Sequence, residues 1–465
     1  MLKLFNSKTH QKEEFVPISD KQVTYYACGP TVYNYVHIGN LRSYMFSDIL
    51  NRYLRYKGYA VKFAMNLTDV DDKTIRDSAK SGKSLKEFTT FYGDAFLKDL
   101  ETLRIKRPDF IIRATEEIEA MIELIQLLLD KGYAYKTSSG DVFFKISKFA
   151  DYGKMAGLDK AQLKANAGGR LADDYEKEDA QDFVLWKAWV PSDGPVVWDA
   201  PFGKGRPGWS IECSAMSRKY LGQPIDIHSG GIDLIFPHHT NEVAQSECAY
   251  GVEFVRTWMH CAFLIVNGKK MSKSLGNFYT LRDLMDKGYS ALAVRYELLK
   301  AHYRATIDFQ ESQLKGNESV IEKLGDLVLR LKDDKTSGAG WSDLDKALER
   351  AQHDFEEAMD DDLNVPVALA ALFDFIGDVN KNFAVLSVAD KKRICDFLYR
   401  LDEVLALIPR VSSDVTPEQQ ELIDKREAYR KEKNWTEADA LKERLKEMGI
   451  EVKDTPTGPQ IKKLF

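Results

Sequence analysis

A strand–turn–helix–strand pattern near the N-terminus constrains the fold more than any other feature of the chain. A β-prone run, Val23 to Ala27, leads into the sequence CGP at Cys28, and a second run, Val61 to Asn66, precedes Thr68. The stretch between them, Leu41 to Tyr56, has helical character. This order is typical of a βαβ unit, whose parallel strands gather ligands at their carboxyl ends. We therefore expect Cys28 and Thr68 at one edge of a parallel sheet.

The 465 residues exceed the size at which a single core stops growing, so several domains are expected. The predicted fold class is α/β: a Rossmann-type doubly wound parallel sheet with an insertion, then an α-helical bundle and a small C-terminal module. The predicted boundaries are 1–113 and 205–256 for the sheet domain, 114–204 for a connective insertion, 257–310 for a linking domain, 311–411 for the bundle and 412–465 for the module.

Two predictions concern the insertion. An apolar face from Ile118 to Leu129 predicts a helix that starts with Thr115 as its N-cap and stops before Gly132. The polar stretch from Asp151 to Asp182 predicts a surface excursion. The sheet is then expected to resume with a strand from Pro224 to His228.

Composition excludes several classes of protein. The first twelve residues lack the apolar stretch of a signal peptide, and no window is apolar enough for a membrane helix, so we expect a soluble cytoplasmic protein. The five cysteines are an odd number scattered through a large chain, which favours reduced thiols over disulfides. A net charge of −6 disfavours nonspecific coating of nucleic acid, so any RNA contact must be local.

A histidine and a glutamate four residues apart are candidate metal ligands. His238 and Glu242 share one face if Pro237 opens a helix. Such a pair alone is more often a solvated helix start. Cys28 and Cys213 could complete a set of two thiols, an imidazole and a carboxylate that suits zinc. The other cysteines are interpreted as small buried apolar residues, namely Cys248, Cys261 and Cys395.

Two further motifs suit a nucleotide. The sequence HIGN, from His37 to Asn40, lies where the first strand hands over to the first helix, where a glycine and free N–H groups can approach phosphate. The glycine-bracketed sequence KMSKS carries Lys270 and Lys273, which could neutralise a triphosphate when a mobile loop closes. A lysine-rich loop is usually a solvated surface, and HIGN alone is weak.

Together, HIGN and KMSKS resemble the two signatures of class I aminoacyl-tRNA synthetases. The sequences CGPTVY at Cys28, GWSIECS at Gly208 and GGIDLIFPHHTNE at Gly230 are similar to the cysteine-specific branch of that family, and the resemblance spans nearly the whole chain. It implies an enzyme that activates L-cysteine with ATP and Mg²⁺ and esterifies it onto tRNA(Cys), with 257–310 carrying KMSKS and 412–465 recognising the anticodon. Monomer is the expected oligomeric state.

The resemblance also implies roles for single residues. Zinc would be held by Cys28, Cys213, His238 and Glu242, and the substrate thiolate would become an additional ligand. Substrate and ATP binding would fall to Gly29, Thr68, Trp209, His228, Gly39, Gly230 and Asp233, and catalysis to His37, Asn40, Lys270 and Lys273. Because a zinc–thiolate bond favours sulfur over a hydroxyl, no editing domain against serine is expected.

Three departures from the family pattern bear on this hypothesis. Asn40 replaces the second signature histidine and can donate a hydrogen bond but cannot carry charge. Ser229 interrupts the glycine run after His228 and would restrict the backbone if its φ were positive. The C-terminal segment keeps an Asp-Thr-Pro-x-Gly pattern from Asp454 but lacks the tryptophan expected after it.

Two other functions remain open from the sequence. A ligase that joins activated cysteine to an amino sugar would share the core but lack the C-terminal module, and a zinc-stabilised RNA-binding protein would lack catalysis. The module offers a basic and aromatic set that suits phosphates and single-stranded bases, or is simply a solvated helix face. That set comprises Arg426, Tyr429, Arg430, Lys431, Lys433, Trp435, Lys442 and Arg444.

Overall fold

The computed structural model describes residues 1–158, 182–271, 275–412, 415–455 and 458–464. The chain divides into two compact units. The first comprises Met1–Lys287, Leu298–Gln310 and Glu357–Pro366, and the second comprises Gly288–Glu297, Glu311–Glu356 and Val367–Phe465. Most of the excursion predicted between Asp151 and Asp182 lies outside the described residues.

The bounds of the strands and helices are as follows. The strands are β1 (Lys3–Asn6), β2 (Gln11–Glu14), β3 (Gln22–Ala27), β4 (Ala60–Leu67), β5 (Phe110–Arg113), β6 (Ala134–Lys136), β7 (Val142–Phe144), β8 (Phe183–Ala188), β9 (Gly205–Pro207), β10 (Ile225–Gly231), β11 (Val255–Cys261), β12 (Leu264–Val266), β13 (Lys269–Lys270), β14 (Ile307–Phe309), β15 (Val411–Ser412), β16 (Ile450–Thr455) and β17 (Gly458–Leu464). The helices are α1 (Ile38–Tyr56), α2 (Asp72–Lys80), α3 (Leu85–Thr102), α4 (Ile118–Asp130), α5 (Trp209–Leu221), α6 (Thr240–Tyr250), α7 (Leu281–Asp286), α8 (Ala291–Leu299), α9 (Leu314–Asp333), α10 (Leu344–Asp360), α11 (Val365–Asn382), α12 (Val388–Leu405), α13 (Pro417–Lys431) and α14 (Trp435–Glu447).

A five-stranded parallel sheet forms the centre of the first unit, in the order β11-β10-β3-β4-β5. The chain proceeds from β3 outward through β4 and β5, then returns to the other side of β3 with β10 and β11. The strand order therefore reverses between β3 and β10, which is where ligands bind in open α/β sheets. At that point the Cys28 N–H donates to the Ser229 carbonyl at 3.1 Å. The predicted fold class is confirmed.

The predicted strands and the first helix are confirmed with small shifts at their ends. The helix of the insertion is present as α4, but its predicted start is wrong. α4 begins at Ile118, while Thr115 lies in a short 3₁₀ turn and its Oγ1 donates to Asp69 Oδ2 at 2.7 Å. A long-range carboxylate partner thus takes the side chain that the sequence pattern assigned to capping.

The insertion also contains an antiparallel sheet, β6-β7-β8-β9, which the sequence reasoning did not predict. Its strands are three to six residues long, too short to give a clear alternation of apolar and polar residues. Trp186 on β8 is fully buried and packs at the edge of Phe202, with ring centroids 5.3 Å apart. This sheet leads directly through β9 into α5, which carries one of the candidate metal ligands.

The second unit is mainly helical, as predicted. It contains all or most of α9, α10, α11 and α12, and α13 and α14 belong to the C-terminal module. A small antiparallel sheet, β15-β17-β16, whose strands lie on both sides of these two helices in the chain, was not predicted. The apolar cluster of this module comprises Leu422, Ile423, Leu445, Ile450 and Val452. Among the described residues, no helix is both long and apolar enough to cross a membrane.

Candidate functional site

Four potential metal ligands meet at the point where the sheet order reverses. Cys28 follows β3, Cys213 lies in the first turns of α5, and Glu242 lies at the start of α6. His238 is in the wide turn Ile235–His239 that precedes α6, so Pro237 lies inside this turn. One ligand atom from each of the four side chains lies within 4.8 Å of the others, and all four residues are buried.

The distances fit a tetrahedral metal. The two sulfur atoms of Cys28 and Cys213 are 3.7 Å apart, His238 Nε2 is 3.1 Å from Glu242 Oε1, and Cys28 Sγ is 3.9 Å from Glu242 Oε1. Ligands about 2.0 to 2.3 Å from a tetrahedral ion are themselves about 3.3 to 3.8 Å apart. Two sulfurs, one imidazole and one carboxylate are a donor set that suits zinc. The residues present therefore fit a zinc ion.

A second group of potential metal ligands shares two residues with the first. Cys28, His228, His239 and Glu242 also bring ligand atoms within 4.8 Å of one another. His239 Nε2 lies 3.3 Å from Cys28 Sγ, and His228 Nε2 lies 2.9 Å from Glu242 Oε2. The other nitrogen of His239 is 2.7 Å from Nε2 of His260. Outer hydrogen bonds of this kind orient the ligands of a metal.

The electrostatics distribute the protons unevenly over the four ligands. Burial alone would raise the pKa of Glu242, but the charges of His228 and His238 outweigh it and hold that pKa at about 2. Burial lowers the pKa of His238, yet Glu242 and Cys213 raise it to about 10. Burial and the neighbouring Cys213 raise the pKa of the Cys28 thiol well above its ordinary value. Near neutral pH and without metal, His238 and Cys28 therefore carry protons.

Zinc binding is expected to release two protons near neutral pH, because Cys28 and His238 must lose theirs before they can bind a metal. The apparent affinity for zinc should then rise about 100-fold for each pH unit. The measurement is calorimetric titration of zinc-free protein at several pH values, in buffers of different ionisation enthalpy. An affinity that does not change with pH would contradict this distribution of protons.

The HIGN turn forms the start of α1. His37 is the N-cap, and its Nδ1 accepts a hydrogen bond from the Asn40 backbone N–H at 3.2 Å. Burial lowers the pKa of His37, although Asp233 opposes this shift. The ring is therefore neutral near pH 7, and with Nδ1 accepting, its proton lies on Nε2. A Cβ at Gly39 would lie 3.0 Å from the His37 ring and 3.1 Å from Cε of Met271, so only glycine fits there easily.

The segment around KMSKS is described in part. Lys270 ends β13, is exposed and pairs through its backbone with Ile265, whereas Lys273 lies outside the described residues. Asn277 Nδ2 donates to the Lys270 carbonyl at 3.2 Å. Beyond the motif, the Ile38 N–H donates to the Tyr279 carbonyl at 3.0 Å. The HIGN turn and the flanks of KMSKS are thus neighbours.

The predicted pocket residues surround the four ligands. Gly29 approaches the next strand so closely that a Cβ would lie 1.7 Å from the Asn66 carbonyl oxygen. Trp209 at the start of α5 is 44% exposed, and its ring lies 4.2 Å from that of His238. His228 is fully buried and stacks on Trp258. The structure therefore brings Gly29, Trp209 and His228 to the same sheet edge.

Side-chain atoms lie close to two glycines at the end of β10. A Cβ at Gly230 would lie 2.7 Å from Leu234 Cδ1, and one at Gly231 would lie 2.5 Å from Asp233 Oδ1. Ser229, the residue before them, does not have a positive φ. Its Oγ lies 2.6 Å from the Tyr25 hydroxyl inside the sheet. The serine in the glycine run therefore restricts nothing that the fold requires.

Sequence reasoning missed four buried polar residues at the site, namely Asn66, Glu212, His239 and His260. Asn66 Oδ1 accepts from the Gly29 N–H at 2.8 Å, and Thr68 Oγ1 donates to Glu212 Oε2 at 2.8 Å. Burial raises the pKa of Glu212 well above its ordinary value, and the nearby Cys213 raises it further. The adjacent histidines in the PHH sequence were a usable signal for His239, whereas the others have no local pattern.

The basic set of the C-terminal module is only partly at the surface. Arg426 is 1% exposed, and its Nη2 donates to both Asp454 oxygens at 3.0 Å. The prediction that Arg426 faces phosphates is therefore wrong, because its guanidinium is buried and pairs with the exposed carboxylate of Asp454. Trp435 is 54% exposed, and the Arg430 guanidinium lies 5.5 Å from its ring centre.

Comparisons with known proteins agree with this architecture. Residues 14–319 match the family described as tRNA synthetases class I (C) catalytic domain, residues 354–408 match the DALR domain, and residues 412–461 match the cysteinyl-tRNA ligase anticodon binding domain. A solved Mycobacterium tuberculosis methionyl-tRNA synthetase in complex with methionyl-adenylate has the same fold, with a TM-score of 0.61 at 20% identity, over 83% of this chain and 90% of that chain. The sheet, its insertion and the ligand-binding edge define a class I aminoacyl-tRNA synthetase.

The family within that class follows from two relatives. A cysteine–tRNA ligase from Brachyspira hyodysenteriae is 47% identical over 468 residues, covering 99% of this chain and 98% of the relative. One from Protochlamydia amoebophila is 44% identical over 468 residues with the same coverage. The chain belongs to the cysteine–tRNA ligase family.

Proposed function

We propose that the chain activates L-cysteine with ATP and transfers it to tRNA(Cys) in the cytoplasm, acting as a monomer. The observation that carries this proposal is the buried set of two thiols, one imidazole and one carboxylate at the point where the sheet order reverses. Zinc held by Cys28, Cys213, His238 and Glu242 would supply a bond to the substrate thiolate that the hydroxyl of serine cannot match. Gly29, Thr68, Trp209 and His228 would enclose the amino acid.

In the first step the cysteine carboxylate attacks the α-phosphorus of ATP. A bond forms from the carboxylate oxygen to phosphorus, the bond to the bridging oxygen of the β-phosphate breaks, and pyrophosphate leaves; Mg²⁺ bound with ATP would offset part of its charge. His37 donates from Nε2 and Asn40 from its amide to the phosphate oxygens as charge builds on them. Lys270 and Lys273 neutralise the leaving pyrophosphate, and Gly39, Gly230 and Asp233 hold the nucleotide.

In the second step a hydroxyl of the tRNA 3′-terminal adenosine attacks the carbonyl carbon of the adenylate. The ester bond forms, AMP leaves, and the hydroxyl proton passes to the released phosphate. Residues 257–310 would form the domain that carries KMSKS, and residues 412–465 would recognise the anticodon. In that module the exposed Trp435 ring, with the Arg430 guanidinium beside it, suits the stacking of an unpaired base.

Replacing Trp435 with alanine is expected to raise the KM for tRNA about 5- to 160-fold, because one base–aromatic stack contributes about 1 to 3 kcal/mol. Cysteine-dependent ATP–pyrophosphate exchange, which needs no tRNA, should be unchanged. Aminoacylation and exchange assays on the same preparation make this comparison. The control variant is Phe383→Ala, which removes another aromatic ring from the same unit. A variant with unchanged aminoacylation would exclude Trp435 from the RNA contact.

The whole proposal is tested by two assays on metal-replete protein. Exchange between ATP and pyrophosphate that depends on cysteine, followed by aminoacylation of tRNA(Cys), would support the proposal. Exchange without transfer to tRNA would favour the ligase that joins cysteine to an amino sugar. RNA binding without exchange would favour a zinc-stabilised RNA-binding protein.

A further inference from the structure

A short relay of buried hydrogen bonds runs behind the metal ligands. Asn66 accepts from the Gly29 N–H through Oδ1 and donates from Nδ2 to Thr68 Oγ1 at 3.1 Å. Thr68 in turn donates its hydroxyl proton to Glu212 Oε2 at 2.8 Å. Asn66, Thr68 and Glu212 are each 1% exposed. Because the Thr68 hydroxyl already donates its proton to Glu212, it can only accept a further hydrogen bond, through its remaining lone pair.

Glu212 ends the relay with an unused acceptor. Its Oε1 is buried and has no hydrogen-bond partner among the described residues. Within that part of the chain Glu212 also has no lysine or arginine as an ion-pair partner, and Thr68 is its hydrogen-bond donor. Buried acceptors without a donor are uncommon in folded proteins and call for an explanation. Thr68 and Glu212 can therefore each accept one more hydrogen bond, and the described residues do not supply the donor.

The position of this relay indicates which ligand group would supply the donor. Glu212 directly precedes the metal ligand Cys213 on α5, and Thr68 and Cys28 follow the neighbouring strands β4 and β3. In cysteine the amino nitrogen is three covalent bonds from the sulfur. If the sulfur of a bound cysteine lies at the four ligands, its ammonium group is therefore within reach of Thr68 and Glu212. The ammonium group can donate three hydrogen bonds.

We propose that Glu212, acting through Thr68, selects the α-ammonium group of the substrate. This inference rests on the proposed function and deepens it, because it assigns a residue to a part of cysteine that zinc does not distinguish. Glu212 is a positioning residue that fixes the Thr68 hydroxyl as an acceptor, and Asn66 fixes the same hydroxyl from the other side. The site should then reject small thiol acids that share the thiol and the carboxylate of cysteine but lack its amine.

The test compares equilibrium binding of cysteine and of 3-mercaptopropionate, which is cysteine without its amino group, to zinc-loaded protein by calorimetry. The wild-type chain is expected to bind cysteine at least about tenfold more tightly. Glu212→Gln should weaken cysteine about 10- to 100-fold and change 3-mercaptopropionate less than about twofold. Glu117→Gln is the matched control, since Glu117 is also buried but bonds Tyr220 at 2.9 Å instead, and it should change neither affinity.

Thr68→Val provides the second variant. It should repeat the selective loss of cysteine affinity, and the double variant should be no weaker than the single ones, because both substitutions interrupt one relay. Equal weakening of both ligands, or loss of zinc from Glu212→Gln, would overturn the inference. Equal wild-type affinities for the two ligands would overturn it as well. A wild-type chain that neither binds nor activates cysteine would instead remove the proposed function on which the inference rests.

Discussion

Cysteine-dependent ATP–pyrophosphate exchange is expected to fall at least about a thousandfold when Cys213 is replaced by serine. The Cys213 sulfur lies 3.7 Å from that of Cys28 and is the second of the two sulfur ligands in the proposed zinc site. A serine hydroxyl has a similar size but remains protonated at neutral pH and is a poor ligand for zinc. Exchange at saturating ATP and cysteine, together with the zinc content per chain, measures the effect.

The matched control for this substitution is Cys248→Ser. Cys248 is also buried, on α6, but belongs to neither group of candidate metal ligands. Burial raises the pKa of its thiol to about 12, so it stays protonated and acts only as a packing residue. This variant should keep its zinc and at least about half of its exchange rate. Full exchange by Cys213→Ser would remove Cys213 from the zinc set.

Replacing His37 with glutamine should lower kcat for exchange about 100- to 1000-fold while the KM for cysteine changes less than about threefold. The neutral His37 ring presents its Nε2 proton where charge develops on the phosphate, and losing one such donor typically costs that much. Glutamine keeps a polar side chain but cannot both accept the Asn40 N–H and hold a donor in the same direction. Steady-state exchange with each substrate varied in turn separates kcat from KM.

His353→Gln serves as the control for this second substitution. His353 is exposed on α10 and belongs to the second unit. Its exchange kinetics should match those of the wild type. A His37→Gln variant that loses affinity for cysteine but keeps kcat would contradict the role of His37 at the phosphate, because the loss would then lie in substrate binding.

Sequence patterns predicted the parts of the molecule that repeat over many residues. The strand–helix–strand unit and the helices of the second unit extend over enough residues for their periodicity to be read. The convergence of Cys28 with Cys213 followed from the family motifs, since residues so far apart in the chain meet only once the sheet has formed. His238 and Glu242 kept their i, i+4 relation, with His238 Nε2 3.1 Å from Glu242 Oε1, although His238 lies in the turn before α6.

The side-chain contacts that could not be predicted from the sequence each depend on one partner that is distant in the chain. Thr115 resembles an N-cap, but Asp69 takes its hydroxyl. Arg426 resembles part of a basic surface, but its side chain is buried and its guanidinium pairs with Asp454. Glu212 has no local pattern that distinguishes it from a helix-stabilising glutamate at the positive end of α5. Its contact with Thr68 exists only because β4 and α5 meet in the folded chain.

We propose above all that the substrate thiolate binds a metal held by Cys28, Cys213, His238 and Glu242. X-ray absorption at the zinc edge of the zinc-loaded chain tests it most directly, by counting sulfur neighbours at about 2.3 Å. We predict two sulfur neighbours without substrate, three after cysteine is added, and still two after serine is added. A sulfur count that stays the same when saturating cysteine supports full exchange activity would contradict the claim.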